Sequence, residues 1–219
     1  MAADVLSLQK FSVLRNSAPI FEDLDVELDN GEIAVFLGRQ SAGKSLLAKS
    51  IIGQYSNIQG VIKVLGFSLN PISSAHLNEL RQKIAYVSPE FPLIKNKTVR
   101  VNLSLSLLAS NRIREDETDL MIQQQLIALD IEHLSSRICS ELSGSEDFLV
   151  RMARGLVGKP RLILIDDLNI HKMVDEFPLL DTELINLNQK DKLNLFVFCS
   201  ETRGFSSSFF QNVINLVPR

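Results

Sequence analysis

"GRQSAGKS", residues 38–45, decides how this 219-residue chain is read. It matches G-x-x-x-x-G-K-[ST], with the apolar run "EIAVFLG" (32–38) before it and the helically spaced "KSLLAKSIIG" (44–53) after it. That order is the one the chemistry needs. Gly38 and Gly43 let the backbone turn and approach a phosphate. Arg39, Gln40, Ser41 and Ala42 supply successive N–H groups that point inward as an anion nest at a helix N-terminus, with Leu46 in its first turn. Lys44 is expected to reach the β- and γ-phosphates of a nucleotide, and Ser45 to offer its hydroxyl to Mg²⁺.

Working outward, "VLSLQKF" (5–11) and "LDVELD" (24–29) alternate apolar and polar residues, as half-buried antiparallel strands do. "NG" at 30–31 marks a turn, and the continuous apolar run behind it predicts a strand covered on both faces. "GVIKVLG" (60–66) and "KIAYVS" (83–88) read as further strands. From about 91 to 158 the texture becomes helical in "TVRVNLSLSLL", "DETDLMIQQQLIALD" and "GSEDFLVRMARGLVG". Buried strands return at "RLILID" (161–166), "LNLFVFCS" (193–200) and "NVINLV" (212–217), with a helix expected over 177–188. The pattern predicts one α/β domain with two lobes. The core lobe takes about 1–90 and 159–219, and an inserted helical lobe about 91–158.

A phosphate loop needs a carboxylate at the end of a neighbouring parallel strand to hold the metal's water shell. "LILIDD" (162–167) offers it. Asp166 is the expected metal-side acid beside Ser45, and Asp167 stands where a general base or water-orienting group acts. The net charge of −3 argues against a nucleic-acid or anionic-membrane surface. Cys139 and Cys199 lie far apart, outside any CxxC motif, and are expected to be reduced core thiols. No apolar run approaches a membrane span, and "MAADVLSLQKF" lacks the plan of a signal peptide. A protein of this kind working at a membrane would be held there by something else.

Between the two motifs lies "ELSGSEDFLVRMARGLVGKPRLILIDD" (141–167). Here the chain resembles the ABC-type ATPases, the nucleotide-binding subunits of ABC transporters. "LSGSE" stands for their signature, "VRMARGLVGKP" for the helix after it, and "RLILIDD" for the strand with the metal-side acid. "KIAYVSPEFPLIKNKTVRVNL" (83–103) looks like their Q-loop and the start of their helical lobe. The resemblance covers nearly the whole chain. It implies a P-loop NTPase fold of the ABC-ATPase kind, α/β, with a mostly parallel core sheet, an antiparallel β edge and an inserted helical lobe. It also implies ATP with Mg²⁺, a head-to-tail dimer, and an integral-membrane permease partner on the cytoplasmic face of a membrane. In such a dimer Ser143, Gly144 and Ser145 touch the nucleotide of the opposite subunit. The helix end alone favours a phosphate through its free N–H groups, with Ser143 or Ser145 as N-cap and Glu146 in the first turn.

The departures from the family gather at hydrolysis. The Q-loop glutamine aligns with Pro89, which has neither a side-chain donor nor a backbone N–H. The glutamate that follows the metal-side acid is Asp167, whose shorter side chain withdraws the carboxylate by about 1.5 Å, a misplacement that can cost about a hundredfold. The switch histidine aligns with Ser200, which cannot shuttle protons near neutral pH as imidazole does. "LNIHKMVD" (168–175) replaces the usual sequence after the acids, and its His171 reads as a surface loop residue. The adenine-stacking aromatic aligns with Leu14 or Arg15, and Arg15 can stack as a cation. The expectation is therefore an ATP-binding subunit of a membrane ABC complex of the lipid- or lipoprotein-trafficking or cell-division type, with weak or absent hydrolysis. It would work as a homodimer or beside a better-preserved partner. The alternatives are a regulatory or structural pseudo-ATPase and, less well matched, a small-molecule P-loop kinase.

Overall fold

The computed structural model describes residues 4–108, 115–167, 180–202 and 212–217. By their contacts the residues form two compact units, Met1–Ile84 with Arg161–Arg219, and Ala85–Pro160. In the first unit, β1 (Leu6–Arg15), β2 (Ala18–Leu28), β4 (Ile58–Val64) and the short β5 (Phe67–Ser68) form an antiparallel sheet in the order β2-β1-β4-β5. The expected antiparallel edge is thus a sheet of its own. A bulge shapes it. Lys10 takes φ 45°, its N–H donates to Asp25 Oδ1 at 2.7 Å, and the pairing of β1 with both neighbours shifts there. Opposite stands Gly60 at φ +85°, where a Cβ would lie 2.2 Å from the Lys10 carbonyl oxygen, so only glycine fits.

The second sheet runs β6-β7-β8-β3-β9, with β3 (Ile33–Leu37), β6 (Ile84–Val87), β7 (Leu162–Ile165), β8 (Asn194–Cys199) and β9 (Asn212–Asn215). β3 pairs in parallel with β8 and β9, and β7 with β8. β7 and β8 are buried at every residue, all of them apolar except Asn194 at the start of β8. Phe36 stacks on Phe198 with centroids 4.8 Å apart and meets Phe196 edge-on at 5.7 Å, so three rings fill the centre of the sheet. α1 (Lys44–Ile51) leaves β3 through the phosphate loop, and α6 (Leu180–Asp191) precedes β8. α2 (Ser74–Arg81), capped by Ser73, and β5 were not foreseen from the sequence; both are short and weakly patterned.

One buried polar cluster ties the "NG" turn to the start of β8. Asn194, fully buried, accepts from Gly31 N–H at 2.6 Å and donates to Asn30 Oδ1 at 3.1 Å and the Arg161 carbonyl at 2.7 Å. Asn188 donates to the Gly31 and Leu193 carbonyls at 2.8 and 2.7 Å. The turn before β3 is therefore fixed by side chains more than 150 residues away.

The second unit holds α3 (Val99–Leu108), α4 (Glu115–Ala128) and α5 (Gly144–Leu156). α5 buries every residue from Phe148 to Ala153, and Leu156, so the middle of the helix is covered all round. Asn102, buried on α3, accepts from Ile94 N–H at 2.8 Å and donates to the Ile94 carbonyl at 3.2 Å, closing the loop before the helix. Cys139 and Cys199 are both free, buried thiols, as expected. The segment 168–175, with His171, lies outside the described residues.

Replacing Asn194 by alanine leaves the half-buried Gly31 N–H without its side-chain acceptor, while the Arg161 carbonyl keeps the backbone N–H of residue 194. The expected loss is about 1–3 kcal/mol, visible as a lower urea midpoint with an unchanged slope.

Candidate functional site

The phosphate loop is bent by close packing at both of its glycines. Gly38 N–H donates to the Cys199 carbonyl at 3.2 Å, carrying the β3–β8 pairing one step into the loop. A Cβ on Gly38 would sit 2.9 Å from Ala42 Cβ and 3.1 Å from the Leu216 carbonyl oxygen. Gly43 is the N-cap of α1 at φ +87°, and a Cβ there would sit 2.9 Å from Phe21 Cε1 and 3.1 Å from Ile20 Cγ2. So β2 lies directly against the loop, a neighbour that sequence alone did not reveal. Ser41 also takes a left-handed conformation, φ 67°. Arg39, Gln40 and Ser41 are exposed, Ala42, Gly43 and Lys44 are buried, and Ser45 and Leu46 are half-buried.

The N-terminus of α1 has no side-chain cap and no acid in its first turn. Its orphan N–H groups and dipole are left for an anion. Lys44 is 4% exposed and folds its ammonium back to donate to the Gly38 and Arg39 carbonyls at 2.6 and 2.8 Å. Burial lowers its pKa, while Cys199 and Asp166 act in the opposite direction. Cys199, at the end of β8, has its thiol pushed up to about 11 by burial, against the pull of Lys44. It is therefore neutral at physiological pH.

Across from the loop, Asp166 and Asp167 follow β7 and are both buried. Ser45 Oγ donates to Asp166 Oδ1 at 3.1 Å, joining residues 121 positions apart. A hydroxyl and a carboxylate converging beside an anion nest suit a hard cation that prefers oxygen ligands. No cluster of three or more His, Cys, Asp or Glu among the described residues is placed to cage a metal. One hydroxyl and one carboxylate are the kind of oxygen donors that would suit Mg²⁺. β8 lies between β3 and β7, so Ser200, exposed just past its end, leaves the sheet between the phosphate loop and the acid pair.

Pro89 and the signature residues belong to the second unit. Pro89 is exposed in a turn closed by Phe91 N–H on the Ser88 carbonyl at 3.1 Å. Of the two serines proposed as N-cap of α5, Ser143 takes the role. Its hydroxyl accepts from Glu146 N–H at 3.2 Å, and its own N–H donates to Glu146 Oε2 at 2.7 Å, a complete capping box. That backbone N–H, more than any other group, lowers the Glu146 pKa, and Arg137 pairs with the same carboxylate at 2.6 Å. Asp147 lies between Lys95 at 2.7 Å and Arg151 at 2.9 Å. Ser143 and Gly144 stay exposed and Ser145 half-buried, with open space around the Gly144 Cα. The sequence offered Ser143 or Ser145 as N-cap with Glu146 in the first turn; the return bond from Ser143 N–H to Glu146 was not read from it. Nor were Arg137 and Lys95, since nothing local links them to residues 146 and 147.

The sequence profile described as "ABC transporter" matches residues 21–168. The chain is 28% identical over 152 residues to the cell division ATP-binding protein FtsE of Mycobacterium tuberculosis, covering 69% of this chain and 66% of that one. It is 30% identical over 152 residues to the methionine import ATP-binding protein MetN of Bifidobacterium longum, covering 69% of this chain and 38% of that one. The chain thus spans less than two thirds of the length of either relative. Among solved structures, a bacterial ABC transporter cassette, MJ0796, determined as a dimer, superposes with a TM-score of 0.83 at 21% identity, covering 96% of this chain and 94% of that one. The profile match over most of the chain, with the phosphate loop and acid strand inside it, identifies the chain as an ATP-binding domain of the ABC transporter family.

Proposed function

We propose that this chain is the ATP-binding subunit of a membrane ABC complex that holds ATP with Mg²⁺ and hydrolyses it slowly or not at all. The family binds ATP, and its ATP-binding subunits dimerise and work with membrane permeases. The single observation that carries the reading here is the Ser45–Asp166 contact beside an uncapped α1 N-terminus. In this reading the N–H groups of Gly38–Leu46 and Lys44 hold the phosphates. Ser45 and Asp166 hold the metal's oxygen shell. The cation neutralises phosphate charge when bound.

The groups that would orient the attacking water are the weak part. Asp167 is shorter than the family's glutamate, Ser200 has no titration near neutrality, and Pro89 presents a turn without a donor. Ser143, Gly144 and Ser145 keep an exposed helix end suited to a phosphate of an opposite subunit. That combination favours pairing with a better-preserved subunit, whose site this chain would complete, over a homodimer with two weak sites. Among the described residues no helix is long and apolar enough to cross a membrane. Exposed Phe91, Ile94, Val101 and Leu105 support attachment through a helix of a membrane partner near residues 89–103. The relatives named for cell division and for methionine import support a complex of cell-division or import type over a lipid-trafficking one. A pseudo-ATPase that binds ATP only to stabilise an assembly remains the second reading, favoured by the same three weakened positions.

Lys44→Ala is expected to weaken Mg-ATP binding at least tenfold, measured by equilibrium dialysis or calorimetry; unchanged affinity would remove the phosphate loop from the account. Wild-type turnover is expected below about 1 s⁻¹. Asp167→Glu is expected to raise it if the shortened acid is limiting. Turnover that does not respond assigns the defect to Pro89 and Ser200 instead.

A further inference from the structure

Asn30–Gly31 is the only Asn-Gly dipeptide in the sequence. Asparagine followed by glycine carries a reaction within its own chain. The glycine nitrogen loses its proton and attacks Asn30 Cγ, the Cγ–Nδ2 bond breaks, and ammonia leaves. Water then opens the cyclic imide to aspartate or isoaspartate, with no oxidation or reduction. Glycine favours the step because no side chain shields its nitrogen. The turn gives the reaction room. Asn30 is exposed and Gly31 half-buried, and around Gly31, at φ +92°, a Cβ would meet nothing within 4 Å.

Asn194 holds both reacting groups. Its Oδ1 accepts from Gly31 N–H at 2.6 Å, and its Nδ2 donates to Asn30 Oδ1 at 3.1 Å. The partners fix the orientation of this carboxamide: Gly31 N–H can only donate, and the Arg161 carbonyl, 2.7 Å from Nδ2, can only accept. Asn194 is fully buried. The Gly31 proton therefore points at a neutral amide oxygen too weakly basic to take it, and not at water. The bond to Asn30 Oδ1 keeps that side chain from swinging Cγ over the Gly31 nitrogen. On the other side Asn188 Nδ2 donates to the Gly31 carbonyl at 2.8 Å. Ring closure requires both bonds to Asn194 to break first.

We propose that Asn30 is a deamidation site that Asn194 keeps closed. Its product alters the turn that feeds β3. Isoaspartate adds a carbon atom to the main chain and moves Gly31 N–H off Asn194. Either product adds a carboxylate beside Asp29 and Glu32, where Asp29 N–H already donates to Glu32 Oε2 at 2.8 Å. The proposal concerns this turn alone and does not depend on the nucleotide reading.

The experiment holds the full chain at mildly alkaline pH and follows modification of each asparagine by peptide mass spectrometry, with isoaspartate counted by enzymatic methylation. Asn16–Ser17, exposed in the turn between β1 and β2, is the internal reference. In Asn194→Ala, conversion at Asn30 is expected to speed up about tenfold, the factor that one hydrogen bond represents, while Asn16 stays within about twofold of wild type. Ile62→Ala empties a fully buried position in the antiparallel sheet and costs at least as much stability, yet is expected to leave Asn30 within about twofold of wild type. Deuterium exchange needs no substitution: wild-type Gly31 N–H is expected to exchange at least about tenfold below the intrinsic rate of its sequence. Equal rates at Asn30 in wild type and Asn194→Ala, equal acceleration in Ile62→Ala or at Asn16, or exchange at the intrinsic rate at wild-type Gly31 would each overturn the proposal.

Discussion

The contact between Ser45 Oγ and Asp166 Oδ1 can form only if two distant parts of the chain end at the same place. Ser45 sits one residue into α1, so its position depends on the bend of the phosphate loop. Asp166 is the first residue past β7, so its position depends on the parallel register of β7 on β8 and of β8 on β3. The buried Phe36, Phe196 and Phe198 rings set that register from within the sheet. Asn194 and Asn188 fix the turn that feeds β3. Most of the first unit is therefore scaffolding for one hydroxyl and one carboxylate held 3.1 Å apart.

That arrangement separates holding a nucleotide from hydrolysing it. Holding needs N–H groups, a cation and two oxygen ligands, and the fold presents all of these on rigid strand and helix ends. Hydrolysis also needs a water placed to within a fraction of an ångström and a group to take its proton. On the proposed reading, the positions that carry those tasks in the family are here Asp167, Ser200 and Pro89. β7 and β8 are buried throughout, and α5 has a complete capping box.

Much of this was legible in local patterns. Residues 38–45 announce their loop because only glycines at 38 and 43 satisfy the packing around it. "LILIDD" announces a buried strand ending in acids, and Ser143 with Glu146 announces a helix start. What was not legible depends on register between distant strands. The antiparallel strands form a separate sheet because β1 takes β2 and β4 as neighbours and bulges against both at Lys10. Phe21 against Gly43, Tyr55 against Leu14 and Arg137 against Glu146 all join residues with no shared local pattern. Asn194 looks like an ordinary polar residue at a strand start until its buried partners are known.

The account stands on Ser45 and Asp166 acting together on a metal that accompanies the nucleotide. The most direct measurement is ATP affinity with and without Mg²⁺, for wild type and Asp166→Asn. Wild-type affinity is expected to rise with Mg²⁺, and Asp166→Asn to lose most of that rise while keeping its metal-free affinity. An Mg²⁺ response that survives Asp166→Asn undiminished would contradict the account.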